Sequence, residues 1–374
     1  MQLGYRRSGN GRLTVESVDR YLQLLVESGG SDLHLKAGGP AYVRVDGDLK
    51  PVTYLPPLSP SDTESFAYAM MDTRAVARFE ESREADFAYS LSGVGRFRVN
   101  AFRQRGAVGV VCRRVLPSSQ SFEELGLPPS VRTLAEEHRG LVLVTGPTGS
   151  GKTTTTAALL NHINRSRRCH IVTIEDPIEV MHRDDKAIID QREIGVDTDD
   201  FSTALKAVSR QDPDVIFIGE MRDLETVTAA LQAAETGHLV ISTLHTTDAR
   251  ETINRVVDLY PKEQQAQARL SLANSLKGIV CQRLAPRATG DGRVAVVEVM
   301  VMTTRFYEFL TDPAQLVHIE EAIAEGSYYG MQTFDQHLLQ LYADGVVSLR
   351  DALLTATNAH DFRVALRSAG LATA

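Results

Sequence analysis

Apolar residues recur at two spacings in the first third of the chain. Between residues 14 and 28 they lie three or four positions apart, which predicts an amphipathic helix ending at Gly29-Gly30. They then alternate with polar residues, and Asp46-Gly47 has the composition of a tight hairpin turn. After a helical stretch over about 60–81, the alternation returns across residues 87–111. This part of the chain is therefore predicted to combine helices with hairpin-connected strands.

A different pattern follows residues 117–129, a segment rich in serine and proline that we interpret as a linker. Beyond it, short apolar strands alternate with helical segments, which is typical of a parallel sheet covered by helices. The C-terminal part has mainly helical spacing. We therefore predict two α/β domains, residues 1–116 and 130–374, with the second ending in a helical region.

The length of the chain agrees with two domains, and its net charge argues against one class of partner. The chain has 374 residues, enough for two domains of about 150 residues each. Lys and Arg number 40 against 48 Asp and Glu, so the formal net charge is −8. An acidic balance, without a stretch rich in arginine and aromatic residues, argues against a nucleic-acid-binding protein. We expect no nucleic acid among its partners.

The cysteines and the apolar runs favour a cytoplasmic protein. Cys112, Cys169 and Cys281 are widely spaced and show no CxxC pattern, which argues against a disulfide framework and a four-cysteine zinc site. No apolar run approaches the roughly 18 residues of a membrane-spanning helix. Residues 1–10 also lack the form of a secretory signal.

The strongest local motif is GPTGSGKT at residues 146–153, which fits the phosphate-loop pattern GxxxxGK[ST] between a strand and a helix. Glycines let backbone N–H groups surround phosphates, and the helix N-terminus favours negative charge. Lys152 supplies a cation for the β- and γ-phosphates, and the Thr153 hydroxyl suits Mg²⁺. The predicted ATP-binding residues here are Gly146, Pro147, Thr148, Gly149, Ser150, Gly151, Lys152, Thr153 and Thr154.

Polar residues also follow three more of the predicted strands. Glu175, Glu220 and His245 each come directly after, or one residue beyond, an apolar run. Because the carboxyl ends of parallel strands meet at one sheet edge, we expect these side chains to converge with Lys152. One carboxylate suits activation of the attacking water and the other suits Mg²⁺, but the spacing leaves open which does which. His245 is placed to sense a γ-phosphate, and His238, just before the same strand, either joins the site or forms a turn.

Four segments in chain order carry a resemblance to a known family. GPTGSGKTTT, TIEDPIEV, DPDVIFIGEMRDLET and TGHLVISTLHTTDA resemble the Walker A, Asp-box, Walker B and His-box segments of the secretion ATPase superfamily. The segments SDLHL, RVDGDL, GRFRVNAFRQRGA and GMQTFD extend the likeness over nearly the whole chain, and in particular to type IV pilus retraction ATPases. One departure follows Glu298, where the family carries AIRNLIRE and this chain has TTRFYEFL at 303–310.

The resemblance implies an architecture and a task. It implies a homohexamer with an N-terminal PAS-like domain, a RecA-like P-loop ATPase domain and nucleotide between the two. Hydrolysis of ATP with Mg²⁺ would then power pilus retraction, or twitching motility, through an inner-membrane platform protein. A paralogous ATPase is a further expected partner. The protein would be cytoplasmic and peripheral at the inner face of the cell membrane.

The resemblance also implies roles for individual residues. It makes Glu175 of the Asp box the general base and Glu220 of the Walker B segment the residue that serves Mg²⁺ and water. It places arginines of the N-terminal domain on the phosphates, at the matching positions Arg98, Arg105 and Arg114. The strand pattern is compatible with this for Arg98, which lies on the face opposite its apolar neighbours.

Three other functions stay open from the residues. A pilus-assembly or type II secretion ATPase usually carries a zinc insertion and a longer N-terminal region, which are not found in this sequence. A nucleic-acid translocase is disfavoured by the charge. A regulatory subunit that binds ATP without hydrolysing it is disfavoured by the presence of both Glu175 and Glu220.

Overall fold

A computed structural model of the chain describes residues 17–117 and 120–371. They form two compact units that divide between Leu116 and Pro117. The predicted first helix is present as Val18–Glu27, and the expected residues 14–16 of that helix lie outside the described part. Each unit is mixed α/β, as the alternation of the two periodicities predicts.

The described residues of the first unit form one antiparallel sheet and three helices. Its elements are α1 (Val18–Glu27), β1 (Asp32–Lys36), β2 (Tyr42–Val45), β3 (Asp48–Pro51), α2 (Pro60–Met70), α3 (Thr73–Ser82), β4 (Glu84–Leu91), β5 (Gly95–Gln104) and β6 (Ala107–Pro117). Six strands are arranged in the order β3-β2-β1-β6-β5-β4. Leu22, Leu33, Phe97 and Val99 are among the side chains that fill the core. The predicted Asp46-Gly47 hairpin is confirmed, since both residues have positive φ and join β2 to β3.

The second unit contains a seven-stranded sheet between helices. Its first elements are α4 (Phe122–Leu125), α5 (Pro129–Ala135), β7 (Gly140–Thr145), α6 (Lys152–Ser166), β8 (His170–Glu175), β9 (Val180–Met181), β10 (Ile188–Glu193), α7 (Phe201–Val208), β11 (Val215–Ile218), α8 (Leu224–Glu235) and β12 (Leu239–Leu244). The remaining elements are α9 (Ala249–Asp258), α10 (Gln265–Ser275), β13 (Leu276–Pro286), β14 (Arg293–Val301), α11 (Thr304–Thr311), α12 (Ile319–Glu325), α13 (Phe334–Ala343), α14 (Leu349–Thr355) and α15 (Ala359–Ser368). Three short 3₁₀ helices span Lys262–Gln264, Pro313–His318 and Gly326–Tyr329.

The sheet explains why the apolar runs are continuous rather than alternating. Its order is β10-β8-β11-β12-β7-β13-β14, and every neighbouring pair is parallel except β13 with β14. All six residues of β7 and of β12 are buried, because helices cover both faces. The carboxyl ends of β7, β8, β11 and β12 therefore meet at one edge.

The segment 117–129, predicted as a linker, contains a short helix and the start of another. Ser121 caps α4 through a reciprocal capping box with Glu124, and Phe122 and Leu127 are buried in the core of the second unit. Ser121 is thus a helix cap, and Pro129 begins α5. Residues 118 and 119 lie outside the described part.

Among the helices of residues 17–117 and 120–371, none has the length and apolar character needed to cross a membrane.

Candidate functional site

The loop between β7 and α6 is shaped by glycines in conformations that other residues adopt at a cost. Gly146, Gly149 and Gly151 have φ of 145°, 80° and 91°. A Cβ on Gly146 would lie 2.4 Å from the carbonyl oxygen of Gln282. No side chain caps the N-terminus of α6, and the first turn of this helix lines a cleft. Backbone amides and the helix dipole at such a terminus attract anions, as phosphate binding requires.

Lys152 stands at the centre of this loop. Its Nζ donates to the carbonyl oxygens of Gly146 at 2.7 Å and of Pro147 at 3.1 Å. Burial lowers the pKa of Lys152, while the negative charges of Glu220 and Glu179 oppose that change. The ammonium group is thus held over the mouth of the loop, at a place where it suits a phosphate chain.

A hydrogen-bonded chain joins Lys152 to the end of β11. Lys152 Nζ lies 3.4 Å from His245 Nδ1, and His245 Nε2 lies 3.3 Å from Glu220 Oε1. Because an ammonium group only donates, Nδ1 accepts and Nε2–H faces the carboxylate. Arg222 donates from Nε to Glu220 Oε2 at 2.8 Å. Burial raises the pKa of Glu220, but its contacts with Arg222 and His245 lower the pKa by more, so the net pKa is below the ordinary value. The carboxylate therefore stays ionised at neutral pH.

Glu175 is held differently, inside the sheet edge. Only 7% of the residue is exposed. Its Oε1 accepts from Thr173 Oγ1 at 2.7 Å and from Gln191 Nε2 at 3.1 Å, and the backbone N–H of Glu179 donates to the same carboxylate. Burial raises the pKa of Glu175 in spite of these donors. Its carboxylate thus accepts three hydrogen bonds from the protein's own groups, at least two of them at Oε1.

Glu179 is a residue of this site that the sequence reasoning missed. Thr153 Oγ1 donates to Glu179 Oε2 at 2.6 Å, so this carboxylate contacts the hydroxyl predicted to bind Mg²⁺. The signal was available, since Glu179 is a second glutamate in the segment that begins with Glu175. Spacing alone did not distinguish the two, because the chain turns between them.

These groups share a cleft of about 1020 Å³ in the second unit. Its lining includes Thr148, Gly149, Gly151, Lys152, Thr153, Thr154, Glu175, Glu179, Glu220, Arg222 and His245. The described residues contain no cluster of three or more His, Cys, Asp or Glu arranged to hold a metal. A hydroxyl, one or two carboxylates and a phosphate chain are nevertheless the oxygen donors that Mg²⁺ takes in nucleotide sites. The cleft therefore fits a nucleoside triphosphate with Mg²⁺.

His238 lies outside this cleft. It precedes β12, whereas His245 follows it, and six strand residues at about 3.3 Å each separate the two by roughly 20 Å. Its Nδ1 is 3.0 Å from the carbonyl oxygen of Ala233, and its own carbonyl accepts from Gly140 N–H. His238 thus belongs to the opposite edge of the sheet as a turn residue, and we remove it from the candidate site.

The three arginines predicted to contact the phosphates, Arg98, Arg105 and Arg114, are not brought together within the first unit. Arg98 pairs across the sheet with Arg113, whereas Arg114 pairs with the buried Phe97. Directly opposed residues share a face, so Arg98 and Arg114 point to opposite faces. Arg105 sits in the turn between β5 and β6 with φ of 48°. Arg113 lies directly opposite Arg98 on the same face, and its Nε donates to Asp32 Oδ1 at 2.8 Å.

The chain is similar to two type IV pilus ATPases. It is 45% identical over 335 residues to the type IV pilus retraction ATPase PilT of Pseudomonas aeruginosa, covering 90% of this chain and 96% of that protein. It is 42% identical to the type IV pilus ATPase PilU of the same organism, covering 93% of this chain and 91% of that protein. A crystal structure of the pilus retraction motor PilT with bound ADP aligns with a TM-score of 0.84 at 44% identity, covering 92% of this chain and 98% of the other.

The family described as type II/IV secretion system protein matches residues 12–354, which is most of the chain. The segments that carry the resemblance are those that form the loop, the sheet edge and the cleft. The chain therefore belongs to the type II/IV secretion system protein family.

Proposed function

We propose that this chain is an ATP-hydrolysing motor that powers retraction of a type IV pilus. The observation that carries the proposal is the chain of contacts from the phosphate-loop Lys152 through His245 to Glu220, built inside a nucleotide-sized cleft. The similarity to a pilus retraction ATPase over nearly all of both chains supports the task as well as the chemistry. The solved relative with bound ADP supports an adenine nucleotide as the ligand.

Each group of the cleft has a proposed role. The loop amides and Lys152 hold the β- and γ-phosphates, and Thr153 with Glu220 holds Mg²⁺. An ionised Glu220 suits that role because its pKa is lowered. His245 bridges Lys152 and Glu220, so it is positioned to respond to a γ-phosphate.

Two glutamates compete for the role of general base. Glu175 is the residue that the resemblance suggests, but its carboxylate already accepts bonds from Thr173, Gln191 and the Glu179 amide. Glu179 has a carboxylate oxygen at the Thr153 hydroxyl, next to the metal position. A base must reach the attacking water, so the contacts favour Glu179, with Glu175 holding the segment in place.

The wider assembly follows from the family and remains part of the proposal. We propose a homohexamer of chains, each with a PAS-like first unit and a RecA-like second unit, acting on an inner-membrane platform protein together with a paralogous ATPase. The motor would be cytoplasmic and peripheral at the membrane. Arg98, Arg105 and Arg114 are proposed phosphate contacts in that ring, and Arg113 joins them because it shares the face of Arg98. No nucleic acid is proposed as a partner.

The test is ATP turnover against protein concentration, with light scattering for mass, in the wild type and matched variants. Turnover should rise as rings assemble and should vanish in Lys152→Ala, which also binds ADP more weakly. Glu179→Gln should bind ATP without hydrolysing it, and Glu175→Gln should retain part of the rate. The reverse ranking would make Glu175 the base. His245→Asn should be impaired while His238→Asn keeps the wild-type rate, because only the first lies in the cleft.

A second candidate is the part played by the PilU-type relative, since the identity to that protein is nearly as high. Both readings require an ATPase at a pilus, so turnover does not separate them. Deleting the gene does: loss of twitching motility supports the retraction motor itself. Twitching motility that persists without the gene supports another ATPase role at the pilus.

A further inference from the structure

We propose that Gln282 is a positioning residue that holds the phosphate loop in its nucleotide-binding shape, an inference that rests on the function proposed above. Gln282 lies on β13, more than a hundred residues after the loop, and only 2% of it is exposed. On this strand Cys281 pairs with Thr145, the last residue of β7 before the loop. The register therefore places Gln282 beside the loop itself.

The side-chain amide of Gln282 contacts the loop and the helix that follows it. Its Nε2 donates to the carbonyl oxygen of Ser150 at 2.8 Å, and its Oε1 accepts from the hydroxyl of Thr155 at 2.7 Å. Both contacts are buried. One planar amide thus ties the last turn of the loop to the first turn of α6, and only a group with a donor and an acceptor at the same end can do so.

The backbone and side chain of Gln282 also explain two of the loop glycines. A Cβ on Gly146 would lie 2.4 Å from the Gln282 carbonyl oxygen, and a Cβ on Gly151 would lie 2.7 Å from its Nε2. The loop therefore packs against this residue at both its ends. Because the loop amides bind phosphate only in one geometry, a residue that fixes that geometry acts on nucleotide affinity through the loop.

Gln282→Glu removes the proposed donor and adds a negative charge at pH 8, whereas Thr155→Val removes the other contact without adding a charge. The first substitution keeps the shape and an oxygen for Thr155, but a carboxylate has no hydrogen for the Ser150 carbonyl. Leaving that buried carbonyl without a donor should weaken ADP binding about tenfold at pH 8. Burial raises the pKa of a carboxyl group, so lowering the pH to 6 returns a proton to the side chain and a donor to Ser150. The deficit relative to the wild type should then shrink.

The experiment measures ADP affinity of the full-length protein by calorimetry at pH 6 and pH 8. The matched control is Gln332→Glu, which removes a similar amide donor from the carbonyl of Val297 away from the loop, and it should bind ADP like the wild type. If Gln282→Glu does not fold, Thr155→Val removes the other contact and should weaken ADP binding without pH dependence, while Thr155→Ser restores it. Wild-type affinity in Gln282→Glu at pH 8, or in Thr155→Val, overturns the inference.

The two proposals fail in different ways. A wild-type protein that neither binds nor hydrolyses nucleotide contradicts the proposed function. A wild-type ATPase whose Gln282→Glu variant has an unchanged ADP affinity at pH 8 contradicts only the positioning role. A deficit in Gln282→Glu that is equal at both pH values and shared by Gln332→Glu indicates a general loss of packing and also overturns the role.

Discussion

The carboxyl group of Glu298 should make the protein less stable as the pH rises from 4.5 to about 7. Glu298 lies on β14 and is 5% exposed. Burial raises its pKa from the ordinary 4.5 to about 7, and the charges of Asp248 and Glu320 act in the same direction. Its hydrogen bonds with the Ala249 amide, at 2.9 Å, and with Cys281 oppose the rise without cancelling it.

The sign and the size follow from linkage between protonation and folding. Between these two pKa values the folded protein keeps a proton that the unfolded chain releases, so the free energy of unfolding falls as the pH rises. The stabilisation by the protonated carboxyl is complete below pH 4.5 and is lost above about pH 7. At about 1.4 kcal/mol per pKa unit, the whole effect is about 3 kcal/mol.

His337 has the opposite effect in an overlapping pH range. Its Nδ1 accepts from the Val297 amide at 3.0 Å, and burial lowers its pKa to about 4 from 6.5. The unfolded chain therefore binds the extra proton in this range, and stability rises with pH as His337 becomes neutral in both states. The wild-type curve sums such opposing contributions, including that of His182, whose pKa burial also lowers to about 4, so the comparison has to be made between variants.

The assay is urea unfolding of the wild type, Glu298→Gln and His337→Gln at pH 5 and pH 8, followed by far-ultraviolet circular dichroism. Glutamine at 298 still offers an oxygen to the Ala249 amide but does not titrate. The stability of Glu298→Gln relative to the wild type should increase by about 2 to 3 kcal/mol from pH 5 to pH 8. His337→Gln should shift in the opposite direction. A difference between Glu298→Gln and the wild type that is constant from pH 5 to pH 8 refutes the reasoning.

Two more predictions concern the cleft. Gly151→Ala should weaken ADP binding, measured by calorimetry, more than Gly149→Ala does. Both glycines have positive φ, but only at Gly151 would the new Cβ meet a side chain, at 2.7 Å. Equal losses would show that the backbone conformation alone matters. Arg222→Gln should raise the pKa of Glu220, because Arg222 lowers it in the wild type. The acid side of the pH–turnover profile should therefore move to higher pH. A profile that does not move would mean that this carboxylate need not be ionised.

Much of the fold was predictable because periodicity reports burial on one or both faces. The hairpin at Asp46-Gly47, the buried strand at 141–145 and the helix after it appear as expected. The prediction that Lys152, Glu220 and His245 lie close together also agrees with the structure, because the carboxyl ends of parallel strands meet at one edge of the sheet. Composition did not reveal that part of 117–129 is helical, since Ser121 caps one helix and Pro129 begins the next.

The sequence by itself determined the order of the elements, the phosphate loop and the family, because these depend on residue type and near-neighbour spacing. Only the tertiary structure decided which groups meet across long separations. In the structure Glu179 contacts the Thr153 hydroxyl and Gln282 contacts Ser150, whereas His238 lies at the edge of the sheet opposite the cleft. Strand register and the burial of polar side chains determine such contacts. Neither can be predicted from the local sequence pattern, because both depend on how distant strands align in the folded sheet.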